Sequence, residues 1–184
     1  MNEPSTSVTL PTGVALASLA PGEPWFAEAV SLYLAALAHG PNETVAIISD
    51  FFTRYAALPD YQGRVALRDG RLVGFGFGAL SQPGNWWHDN VAREVGADHP
   101  ALQDAWVLVD LAVAPEVRRQ GIGAALMETL LAAQPHPRAL LSTQVANTTA
   151  RRLYETHGWT YLHPGFTFTG GTEPYVIMRR ELKR

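Results

Sequence analysis

The chain has 184 residues, of which 47% are hydrophobic and 17% charged, with a formal net charge of -3 and no cysteine. These values describe a folded domain long enough for a proper core, and without basic runs nucleic acid is not expected as a partner. The missing thiol excludes a disulfide framework, a thiolate metal site and a cysteine nucleophile.

In chain order, residues 1–7 are polar and read as a frayed tail. The opening stretch lacks a basic region followed by an apolar core, so no signal peptide is expected. No run approaches the ~18 apolar residues that span a bilayer, and the expectation is a cytoplasmic protein with no membrane partner. Val8 to Leu19 reads as a strand kinked at Pro11, and Trp25 to His39 as a helix stopped by Gly40-Pro41. A second helix is predicted over Glu43 to Ala57, with Val45, Ile48, Phe52 and Tyr55 as its apolar stripe. Asp69-Gly70 between two apolar runs predicts a hairpin through a type I′ turn. Gly74, Gly76 and Gly78 alternate along its second strand and mark close packing there.

Ser81 to Gln103 is the least regular segment, read as a long loop with a short helix over Asn90 to Val95. Its Trp86, Trp87 and His88 either cap the core or meet a ligand, and they are candidate substrate contacts. His88, Asp89 and His99 fit no compact metal site, so no metal is expected. Val107 to Ala114 is an apolar run interrupted only by Asp110, a strand buried on both faces. The turn Arg118-Arg119-Gln120-Gly121-Ile122-Gly123 follows, then a helix with Ile122, Leu126 and Leu130 on one side. Ala139–Gln144 is a further strand and Asn147–Thr156 a helix closed at Gly158. Trp159–Phe168 and Glu173–Glu181 are two final strands around Gly170-Gly171. No linker or repeat divides residues 1–184, so one domain is expected.

The turn before the central helix is built for an anion. A helix N-terminus has backbone N–H groups without carbonyl partners and carries partial positive charge. Gly121 and Gly123 let a phosphate approach the backbone, and Arg118 and Arg119 add charge. A Walker loop is excluded because the chain's single lysine is Lys183, and a dinucleotide fingerprint because Leu126 stands where its third glycine belongs. Arg118-x-x-Gly121-x-Gly123 after a strand ending in Val113-x-Pro115 resembles the acetyl-CoA signature of the GCN5-related N-acetyltransferases. Downstream, Asn147-x-x-Ala150-Arg151-Arg152-Leu153-Tyr154-Glu155-x-x-Gly158-Trp159 resembles the same family's second motif.

The resemblance implies an α/β (α+β) fold with a mixed, partly parallel sheet of about six to seven strands flanked by about four helices. It implies acetyl transfer from acetyl-CoA, as co-substrate, to a primary amine of a small molecule or peptide by direct attack in a ternary complex. A non-catalytic acyl-CoA sensor, or an acyltransferase for a longer acyl chain, fits the same motifs. Backbone N–H groups of Arg119, Gln120, Gly121, Ile122, Gly123 and Ala124 would hold the pyrophosphate, with one of Arg118 and Arg119 touching it. Asn147 and Arg151 would lie along the pantetheine, and the backbone of Leu111, Ala112 and Val113 would supply the oxyanion donor. Tyr154 would protonate the departing thiolate, since a phenol near pKa ~10 stays protonated at neutral pH and a thiol lies near ~8.5. Asp110, the one charge in an apolar strand, is the candidate base, with a purely structural carboxylate as the alternative. The family's C-terminal strands often contribute to dimers, which leaves a homodimer open.

Overall fold

The structure, a computed structural model, describes residues 8–37 and 42–182; the expected tail at 1–7 and the Gly40-Pro41 helix stop lie outside the described residues. In chain order the elements are β1 (Val14–Ser18), α1 (Phe26–Ala36), α2 (Val45–Ala56), β2 (Gln62–Arg68), β3 (Arg71–Leu80), α3 (Trp86–Val95), β4 (Ala105–Val113), α4 (Ile122–Ala132), β5 (Arg138–Gln144), α5 (Thr148–Thr156), β6 (Thr160–Thr167) and β7 (Pro174–Glu181). Short 3-10 turns occupy Pro100–Leu102 and Pro115–Val117. The strands lie in the order β1-β2-β3-β4-β5-β7-β6, a mixed sheet of seven whose parallel pair is β4–β5. By contacts, the chain forms two compact units, the first ending at Gly78 and resuming over Asp110–Ala133, the second made of Ala79–Val109 and the chain from Gln134 onward.

In the first unit, the β2–β3 hairpin forms where the turn chemistry demands it. Asp69 and Gly70 have φ of +52° and +70°, the doubly left-handed pair of a type I′ turn, and Arg68 pairs with Arg71 across it. Alternation along β3 then sorts its residues by face. Phe75 and Phe77 are fully buried and meet the α2 aromatics, with Phe52 to Phe77 at 4.8 Å and Phe52 to Phe75 at 5.5 Å between ring centroids. Gly74 and Gly76 instead receive α4. A Cβ at Gly74 would stand 3.0 Å from the Ala112 carbonyl oxygen and 3.2 Å from Leu126, and one at Gly76 would stand 3.1 Å from Leu130. The glycines are there for packing, as the pattern predicted. Ile122, Leu126 and Leu130 are all buried, so α4's apolar side is the one read from its four-residue spacing.

Two local expectations shift. The first strand starts at Val14, after the turn at Pro11, and not at Val8. On α2 the Thr44 hydroxyl accepts from the Ile47 N–H and fixes the start, which leaves Val45, at the first helical position, 60% exposed; only Ile48 and Phe52 of the expected stripe are buried.

In the second unit, the short helix expected over Asn90 to Val95 is the latter part of α3, which starts at Trp86 and runs ten residues. Its N-terminus follows Asn85, whose Oδ1 accepts from the Gln82 N–H, while Asp89 accepts from the Gly84 N–H. Trp87, Val91 and Val95, four residues apart, pack with Leu102, Val107, Leu140 and Ile177. β5 lies parallel to β4 from Ala105↔Arg138 and antiparallel to β7. β6 and β7 form a hairpin through Gly170, at φ +84°. α5 ends at Gly158, whose φ of +79° is the left-handed stop predicted for it.

Candidate functional site

In the first unit, β4 delivers the chain to an uncapped helix. The Ala114 N–H donates to the Val73 carbonyl at 2.9 Å, anchoring the strand's end, and the turn at Pro115–Val117 leads to Arg118. Arg119 has φ +62° and Gly121 φ +82°, a left-handed pair that turns the chain back into α4. A Cβ at Gly121 would meet only Pro11 at 3.7 Å, so backbone conformation and not space requires glycine there. Because a glycine holds the N-cap position, no side chain caps α4. The first-turn N–H groups of an eleven-residue helix therefore face outward with the macrodipole behind them, which fits a phosphate or pyrophosphate.

The arginines of this loop are exposed. Arg118 donates through Nε to the Val113 carbonyl at 3.1 Å, which ties it to the strand end. Gln120 accepts through Oε1 from the Arg68 Nη1 of β2 at 2.6 Å. The Arg68 Nε is shielded from solvent and has no acceptor among the described residues.

Asp110 lies on β4 in the same unit. Its Oδ2 is shielded from solvent and accepts no hydrogen bond among the described residues. Burial, with the negative charge of Glu43 adding to it, raises its pKa from 3.8 to about 8. Tyr55 is pushed up to about 12, chiefly by burial and further by Asp110, against an opposing effect of Arg54. The carboxyl can thus hold or release a proton near neutral pH, which suits proton transfer. Among the described residues Asp110 makes no ion pair with an arginine.

The second unit holds the other candidates. Tyr154 is buried on α5 with its ring 5.9 Å from that of Trp159, edge to face. Asn147 is the N-cap of α5: its Oδ1 accepts from the Ala150 N–H at 3.1 Å, and its amide nitrogen is a donor available to a ligand. Arg151 donates to the Tyr161 hydroxyl and to the Val145 carbonyl, and its guanidinium lies 5.3 Å from the centre of the Tyr161 ring. The substrate candidates separate by exposure. Trp86 is 56% exposed and stacked on Phe168 at 5.1 Å. Trp87 is half-buried, donates to the Ser142 hydroxyl and packs against the core. His88 is buried, its Nδ1 2.9 Å from the Ser81 hydroxyl, and burial lowers its pKa against the opposing charge of Asp89.

Sequence reasoning passed over Glu43 and Tyr55 beside Asp110, Ser81 beside His88, and Arg68 at Gln120. Only Ser81 and His88, seven residues apart, lie close in sequence; Arg68 and Gln120 are separated by 52 residues and carry no local signal.

Residues 33–159 match the sequence model of the acetyltransferase (GNAT) family. The chain is 30% identical over 126 residues to a GCN5-like protein acetyltransferase of Mycobacterium tuberculosis, covering 63% of this chain and 61% of that protein, so it spans about three-fifths of the relative's length. Among solved structures, the ribosomal-protein-S18-alanine N-acetyltransferase of Escherichia coli superposes with a TM-score of 0.62 at 20% identity, over 93% of this chain and 95% of that one. A GNAT family acetyltransferase of Elizabethkingia anophelis with acetyl-CoA bound superposes with a TM-score of 0.60 at 14% identity, over 93% and 99%. The family match spans more than half the chain and includes the strand, the Arg118–Gly123 turn and the Asn147–Gly158 helix: this protein belongs to the acetyltransferase (GNAT) family.

Proposed function

We propose that this protein transfers an acetyl group from acetyl-CoA to the amine of a small molecule or peptide by direct attack. The observation that carries the reading is the uncapped N-terminus of α4 behind Arg118–Gly123, on the continuation of the strand that holds Asp110. Family membership and the acetyl-CoA seen in a relative of the same fold support it. When bound, acetyl-CoA supplies an activated thioester whose sulfur leaves as a thiolate.

In this reading the N–H groups of Arg119 to Ala124 hold the pyrophosphate, and the Asn147 amide nitrogen donates to the pantetheine. Arg151 acts by holding Tyr161 and the Val145 carbonyl in place. A backbone N–H of Leu111, Ala112 or Val113 donates to the carbonyl oxygen as it gains negative charge. A protonated amine cannot attack, so a base must take its proton first. Asp110, with a pKa of about 8, is the acceptor of that proton. The Tyr154 hydroxyl returns a proton to the sulfur. Trp86, the exposed member of the Trp86–His88 group, is the candidate contact for the acceptor.

Calorimetric titration with acetyl-CoA, followed by thiol release across a panel of amines, tests this. The Tyr154→Phe variant is expected to keep its acetyl-CoA affinity and to release thiol more slowly, by part of the ~10²–10⁴-fold typical of acid–base groups. Binding without release on a broad panel would favour a non-catalytic acyl-CoA sensor, and no binding would sink the assignment of Arg118–Gly123.

A further inference from the structure

Among the described residues, no ion pair neutralises the arginines around the turn before α4. Arg68, Arg71, Arg118 and Arg119 lie on β2, β3 and the turn of the first unit, and among the described residues none makes an ion pair with a carboxylate. Arg68 and Arg71 are direct cross-strand partners, an arrangement of like charges that ordinarily costs stability. A guanidinium offers five donors. For Arg68 the one described acceptor outside its own strand is the neutral Gln120 Oε1 at 2.6 Å, and its Nε–H is shielded from solvent with no acceptor. A buried donor left unsatisfied beside an uncompensated cation is costly in an isolated protein. An anion held by the guanidinium would supply the missing acceptor.

We propose that Arg68 binds a phosphate of acetyl-CoA directly, as an arginine outside the Arg118–Gly123 motif, with Gln120 of that motif holding its guanidinium in position. This rests on the function proposed above. Gln120 links the two parts: its backbone belongs to the turn that presents the N–H donors, and its side chain fixes the donor fork of Arg68. Arginine suits the role because its planar fork meets two phosphate oxygens at once. Coenzyme A carries phosphate in its pyrophosphate and at its ribose 3′ position, and both offer this chemistry.

The test is calorimetric binding, which needs no turnover. Acetyl-CoA and its 3′-dephospho analogue are titrated into the wild type, Arg68→Met, Arg68→Lys and Gln120→Ala, with the melting temperature of each free protein as a control for folding. Arg68→Met is expected to weaken acetyl-CoA about tenfold or more, the loss of one charge-assisted hydrogen bond. Arg68→Lys should recover part of that loss and Gln120→Ala should lose less than Arg68→Met. The free Arg68→Met protein should melt no lower than the wild type, because an uncompensated cation opposite Arg71 has gone. A loss that disappears with the dephospho analogue assigns Arg68 to the 3′-phosphate; a loss that persists assigns it to the pyrophosphate. Equal affinity of wild type and Arg68→Met overturns the proposal while the function above stands. A Gln120→Ala loss as large as that of Arg68→Met also overturns it, since Arg68 would then act only by holding the turn. No binding of acetyl-CoA by the wild type overturns both.

Discussion

Replacing Asp110 by asparagine tests the buried carboxyl without reference to any substrate. Its pKa rises from 3.8 to about 8, through burial first and the Glu43 charge second. A raised pKa means that the folded chain holds the proton more tightly than the unfolded one. Below 3.8 both states are protonated and the contribution to stability is complete. Between 3.8 and about 8 the unfolded chain releases the proton and the folded chain keeps it, so stability falls as pH rises. Above about 8 both states have lost it, and the contribution is gone. At ~1.4 kcal/mol for each step of pKa, the difference is roughly 6 kcal/mol, an upper bound because water reaching the carboxylate would soften it. For a chain of this length that corresponds to a melting temperature lower by at most about 12–24 °C at the alkaline end. The amide introduced by Asp110→Asn has no proton to lose, so the variant should lack this slope and melt above the wild type at about pH 9. The assay is thermal unfolding of both proteins from about pH 5 to 9 at fixed ionic strength, read as their difference to remove groups they share. A difference that stays flat across the window would refute the burial argument. Glu43→Gln, which removes the secondary cause, should move the end of the slope to lower pH.

Other consequences are open to direct measurement. Gly74→Ala places a methyl 3.0 Å from the Ala112 carbonyl oxygen, which as backbone cannot swing aside, and should lower stability by about 1–3 kcal/mol in denaturant unfolding. Thr44→Ala removes the hydroxyl that caps α2 and should cost about 1 kcal/mol by the same measurement, with Thr44→Ser recovering most of it. Trp86→Ala, at an exposed position, should alter melting far less than Trp87→Ala, which leaves a hole in the core and the Ser142 hydroxyl without its donor.

Where backbone chemistry is local, the fold could be read from the sequence. Asp69-Gly70 announces its turn because few other pairs tolerate two left-handed residues, and Gly158 and Gly121 mark helix ends for the same reason. The α4 face follows from spacing alone. Only the Asn90–Val95 part of α3 is legible, because its first turn holds two tryptophans and a histidine, residues of modest helix propensity. Yet Trp87, Val91 and Val95 stand at helical spacing, and that stripe was the available signal. At the candidate site, Asp110 could be found as a lone charge in an apolar strand. Its companions could not. Glu43 and Tyr55 come from another part of the chain, and no periodicity in β4 points to them. Arg68 likewise meets Gln120 only because β2 and the turn are neighbours in the folded unit.

The glycine face of β3 sets a gauge for the turn it lies under. Ile122, the first residue of α4, is 3.4 Å from where a Cβ on Gly74 would stand. A side chain there meets the Ala112 carbonyl oxygen at 3.0 Å and Leu126 at 3.2 Å before it reaches Ile122. The bare backbone at residue 74 thus lets the end of β4 and the start of α4 close on one point of β3, which ties the two ends of the turn to a common floor.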